Sequence, residues 1–149
     1  MTLEEKRECL NLYLNALAHV KVLQEELESL RSFAEKVTQA ITDDIGSGAT
    51  NDRVGKVAIR LVEAKKDVEE EIERCMQIRK ATRKLIYDLS EGEDRDIMKR
   101  RFLLGQKIRE IANEKGYEER SVRRKIRKII SQMDFSEFEK MSFYVPPKV

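Results

Sequence analysis

Seven of the fourteen residues in KGYEERSVRRKIRK, Lys115 to Lys128, are lysine or arginine, and only Glu118 and Glu119 oppose them. At helical spacing Val122, Ile126, Ile129, Ile130 and Met133 fall on one side. The other side then carries Glu119, Arg120, Arg123, Arg124 and Arg127, with Lys128 beside them. A guanidinium is a planar fork of donors, able to meet guanine O6 and N7 together. The chemistry this face offers is recognition of nucleic acid. Flanking lysines, Lys107 and Lys128, would contact phosphates and position the helix. The competing reading is a solvated surface helix. Such a helix more often mixes signs, whereas here two glutamates occupy the positive end of the helix dipole and nearly everything after them is basic.

A helix that enters a groove needs a second helix to hold it. The spacing predicts three short helices, over 93–104, 107–115 and 118–133, each followed or preceded by a single glycine, Gly105 or Gly116. Ala112 is small enough for two helices to cross. Gly116, four residues on, tolerates the positive φ of a tight turn, and Val122, six further, anchors the next helix. Ser90-x-x-Glu93 has the spacing of a helix start. In the tail DFSEFEKMSFYVPPKV, Ser136-x-x-Glu139 predicts one more short helix, and Phe135, Phe138, Phe143 and Tyr144 are expected to pack back on the protein's own helices, with docking of a partner as the alternative.

Upstream lie two longer elements. Thr2-Leu3-Glu4-Glu5 is a capping-box pattern. From it Leu10, Tyr13, Leu17, Val20, Leu23, Leu27, Leu30, Ala34, Val37 and Ile41 recur at steps of three and four. That is a heptad seam with one local stammer. Gly46, Ser47, Gly48 and Asn51 mark a turn, with Asn51 or Asp52 able to cap a second helix running to about Leu89. The expected fold class is all-α: a long, coiled-coil-like antiparallel helical hairpin over residues 1–91 with its turn at 43–52, then a three-helix domain over 92–133, then an aromatic tail over 134–149.

Charge follows this division. Residues 1–92 carry 15 basic and 18 acidic side chains, net −3, and residues 93–133 carry 13 and 7, net +6. The positive charge is concentrated in one short block. Cys9 and Cys75, paired across the predicted turn, would be offset by about 16 Å along the hairpin at the helical rise, too far for a disulfide. No metal site, cofactor or catalytic group is expected. The single histidine, His19, has no nucleophile in a recognisable pattern, Glu69–Glu71 with Glu73 reads as a solvated helix face, Asp43-Asp44 as a polar turn, and GSGATNDR lacks the lysine of a phosphate loop. Without a signal peptide or an apolar run of about 18 residues, the chain is expected to be cytoplasmic and not membrane-bound.

RRFLLGQKIREIANEKGYEERSVRRKIRKII, residues 100–130, resembles the region-4 helix-turn-helix of bacterial sigma factors. The whole layout over residues 10–133 resembles more closely a family of small phage- and prophage-encoded regulators of Gram-positive bacteria. The motifs are Arg101-Phe102-Leu103 before Gly105, Ile111-Ala112, and Gly116-Tyr117 leading to Arg120, Val122 and Arg124. The chain departs from the pattern at Glu118, where a serine cap is usual, and at Lys125, where an apolar residue is favoured; Ile126 is expected to take over that anchoring. The resemblance implies binding of double-stranded DNA and control of late phage transcription. Self-association through the hairpin or tail would double the site. Two other readings fit the same layout: a packaging component resembling a small terminase subunit, and an adaptor whose basic block binds an acidic protein such as RNA polymerase.

Overall fold

The computed structural model describes residues 1–43 and 50–146. Its elements are α1 (Leu3–Asp43), α2 (Thr50–Tyr87), α3 (Gly92–Phe102), α4 (Ile108–Lys115), α5 (Glu119–Gln132) and α6 (Ser136–Glu139). The fold class is all-α, as the periodicity predicts, and no strand occurs among the described residues. The capping box at the start of α1 forms in both directions: Thr2 N–H donates to Glu5 Oε2 at 2.8 Å and Glu5 N–H to Thr2 Oγ1 at 3.2 Å. The glycine and serine turn at 46–48 lies outside the described residues. Asn51 and Asp52 fall inside the first turn of α2, which begins one residue before them.

Packing divides the chain into two compact units, Met1–Ala16 with Arg74–Val149, and Leu17–Glu73. The sequence-derived boundary at 91/92 follows the linker. The packing boundary instead cuts both long helices, because their chain-terminal portions share a core with the short helices. In the first unit Leu10, Ile78, Ile86, Ile97, Met98, Ile111, Val122 and Ile130 are buried, along with Phe138 of α6. In the second unit 17–43 and 50–73 form an antiparallel pair, and among the residues whose side chains are described only Val20, Leu27 and Val68 are buried. Leu23, Leu30, Ala34, Leu61 and Ala64 are half-buried, and Val54 is exposed. A pair of helices alone cannot enclose its seam.

α3, α4 and α5 pack on one another. α4 ends at Gly116, whose φ of 70° and ψ of 28° place it in the left-handed region. Tyr117 N–H then reaches back to the Ala112 carbonyl at 3.0 Å, closing the last turn of α4. A Cβ on Gly116 would meet nothing within 4 Å. The requirement is therefore for the dihedral and not for space, and a β-carbon in that conformation costs about 1–2 kcal/mol. Gly105, at φ 71°, makes the corresponding turn after α3, where a Cβ would also stand 3.5 Å from the Leu14 side chain.

Two sequence expectations need correction here. Ser90 and Glu93 make no capping box: Glu91 holds the N-cap position of α3 without a side-chain bond, because the Glu93 carboxylate is taken by Tyr117 and Lys125. The helix expected over 93–104 runs from Gly92 to Phe102, and Leu104, beyond its end, is 67% exposed. The tail follows expectation. Phe135, Phe138 and Phe143 are buried, and Phe138 makes edge contacts with both other phenylalanines and with Tyr144. Cys9 and Cys75 are buried and unbridged. Burial, with Glu139 and Glu8 nearby, pushes the Cys9 thiol up to about 11, which leaves it a weak nucleophile at neutral pH.

Candidate nucleic-acid interface

α5 owes its orientation to one apolar stripe. Val122, Ile126, Ile129 and Ile130 are buried, so the remaining positions face outward by helical geometry. Arg120, Arg123, Arg124, Arg127 and Lys128 are all exposed, as is Lys107 at the N-cap of α4. Glu119 is half-buried and pairs with Arg123 at 3.6 Å, one turn along the helix. Ile126 supplies the anchor expected in place of position 125. Lys125 lies at the edge of the stripe, its ammonium 3.5 Å from Glu93 Oε1 and 4.4 Å from the Tyr117 ring centroid. It is an electrostatic clasp between α3, the turn and α5, so the departure from an apolar residue at this position does not displace the arginine face.

A second clasp fixes α4. Asp96 on α3 accepts from Arg100 Nε at 3.1 Å and from the Lys115 ammonium, while Arg100 also pairs with Glu114. The hydrogen bond from Lys115 holds the Asp96 carboxyl below the usual carboxylate range, and Arg100 adds to it. Glu93 is lowered in the same way, first by the Tyr117 hydroxyl and then by the Lys125 charge. These groups are largely solvated, so the pairs contribute little to stability. What they contribute is geometry: the acidic side chains of α3 neutralise the inner edges of α4 and α5. At the end of α2, Tyr87 is gripped between cations, with Lys99 Nζ at 4.3 Å and Arg83 Cζ at 4.7 Å from its ring centroid. Hydrogen bonding by Lys99 and then Arg83 brings its phenol down to about 8.

On the opposite edge of α5 the charges are mostly unpaired, the Arg123–Glu119 contact being the one ion pair there among the described residues. Arg120, Arg123, Arg124 and Arg127 line an open cleft of about 410 Å³ together with Arg101, Arg7 and Asn11, over a floor of Phe102, Ile108 and Ile126. Six guanidiniums border it and no carboxylate does, among the described residues. Arg101 is held by its own turn, donating from Nη1 to the Gln106 carbonyl at 3.0 Å. Of the sequence-derived candidates, the four arginines converge here. Lys107 and Lys128 stand outside the cleft, and Glu119 sits beside it through Arg123.

Arg7, Asn11 and Arg101 are the residues that sequence reasoning missed. Arg101 was visible as part of the motif before Gly105, but only as a fold cue. Arg7 and Asn11 left no local signal, because their place depends on how the first turns of α1 dock against α5. His19 is exposed. No described helix is long and apolar enough to cross a membrane. Comparison with protein-family models, with curated proteins and with solved structures finds no match to this chain.

Proposed function

We propose that this chain is a double-stranded-DNA-binding protein in which α4, the Gly116 turn and α5 act as a helix-turn-helix, with α5 lying in the major groove. One observation carries the reading: six arginines meet around a cleft that no carboxylate borders. Six like charges held together repel one another, and a polyanion is the partner that relieves this. Glu93, Asp96 and Glu114 are engaged by Tyr117, Lys125, Arg100 and Lys115, and of the outer face only Arg123 has a carboxylate partner, Glu119, among the described residues. Arginine on an exposed helix face has the geometry for guanine edges and for phosphates. The resemblance to phage-encoded sigma-like regulators makes control of transcription the favoured role. Ile59 and Val62, 60% and 69% exposed on the second unit, are suited to self-association that would double the DNA site.

Titration of the full chain with a random-sequence duplex at several salt concentrations tests the reading. If about four of the arginines reach phosphates, log K falls with log salt at a slope of about −3 to −4. No measurable binding at about 50 mM salt, where such contacts are strong, would sink it.

A further inference from the structure

α5 does not form the cleft alone. Lys6, at the start of α1, donates to the Ser131 carbonyl at 3.3 Å and to the Met133 carbonyl at 3.0 Å. Its ammonium also lies 5.8 Å from the Phe135 ring centroid. Carbonyls at a helix C-terminus lack intrahelical partners, and a cation is favourable at that end of the dipole. Lys6 therefore pins the first turn of α1 onto the end of α5. The next residue, Arg7, and Asn11 one turn further lie on one face of α1 and line the cleft beside Arg123, Arg124 and Arg127. Arg7 is half-buried, and it has no ion pair among the described residues. Its charge is thus held in a partly desolvated place with nothing to neutralise it.

We propose that Arg7 and Asn11 bind the sugar–phosphate backbone of the same duplex whose groove α5 enters, so that the root of the helical hairpin is part of the nucleic-acid interface. The inference rests on the reading of α5 given above. Arg7 supplies a charge-assisted bond to a phosphate oxygen, and Asn11 a neutral N–H donor next to it. Neither reads sequence; both fix register. The apolar floor of Phe102, Ile108 and Ile126 keeps water from one side and so strengthens the ionic contact. A cleft of 410 Å³ lies in the size range that holds organic groups, roughly 300–1,000 Å³, and is larger than a lone anion needs.

The test measures duplex affinity against salt for the full chain and for Arg7→Gln, Arg7→Lys and Asn11→Ala, each checked by thermal melting. Arg7→Gln is expected to weaken binding equally on all sequences and to make the salt slope shallower by about 0.9, the value of one phosphate contact. Arg7→Lys should restore the slope, which a purely structural role for Arg7 would not require. Wild-type affinity and slope in Arg7→Gln, with binding lost in Arg123→Glu/Arg124→Glu, would overturn the role of α1 while leaving α5 as the reader. Absence of duplex binding by the unmodified chain would remove both. Inorganic tripolyphosphate at matched ionic strength should fail to displace the duplex. Displacement at micromolar concentration would make the cleft a small-anion site and overturn the backbone assignment.

Discussion

Reversing two charges together, Arg123→Glu with Arg124→Glu, should weaken duplex binding by about 100-fold or more while leaving the protein folded. Both side chains are exposed and both line the cleft. Each substitution removes a donor fork and sets a carboxylate against phosphate, so attraction is replaced by repulsion at two points. The salt slope should also become shallower, because positive charge close to the phosphates is lost. The cost to the fold is small. Arg123 gives up its pair with Glu119, an exposed contact one helical turn long, while the buried stripe of α5 is untouched. Fluorescence anisotropy with a labelled duplex reads the affinity, and far-UV circular dichroism reads the fold. Unchanged affinity and slope in a folded double variant would show that α5 does not face the nucleic acid.

The largest effect on stability is expected at the other end of the chain. Phe138→Ala should cost about 3–5 kcal/mol in denaturant unfolding, the usual range for a large aromatic removed from a core. Phe138 is 1% exposed. Its ring stands 5.2 Å from Phe143, 5.9 Å from Phe135 and 6.3 Å from Tyr144, each in an edge arrangement. Such pairs add to the burial of area. A short helix of four residues cannot refill the space by itself. The loss bears on function as well, because Phe135 stacks under Lys6 and Met133 accepts from it. Loosening the tail therefore loosens the contact that brings Arg7 to the cleft. A change of less than about 1 kcal/mol would mean that the tail is an appendage and not part of the core.

Most of the helix pattern was legible because it is local. Thr2 and Glu5 cap α1 as their spacing predicts, and Gly116 takes the left-handed dihedral that a tight turn after Ala112 demands. Ile126 could be named as an anchor from helical spacing alone. What sequence could not supply was long-range. Glu93 has the spacing of a cap, yet its carboxylate is drawn to Tyr117 and Lys125, 24 and 32 residues further along the chain. Lys125 breaks an apolar pattern without disturbing the helix, since a partner on α3 and an aromatic ring in the turn receive its charge. Lys6 and Arg7 look like the solvated start of a long helix. Their roles follow from the carbonyls left open at the end of α5, more than a hundred residues later. The cleft is thus half-readable: its α5 wall follows from periodicity, and its α1 wall follows only from tertiary docking.

A DNA-reading role for this chain requires that the arginine face of α5 meet base edges in a duplex. Selection of bound sequences from a random duplex pool by the full chain tests this most directly. An enriched motif containing guanines is expected, since arginine forks recognise O6 and N7, with loss of that motif in Arg123→Glu/Arg124→Glu. Recovery of the starting pool without enrichment, with equal retention by the double variant, would contradict it.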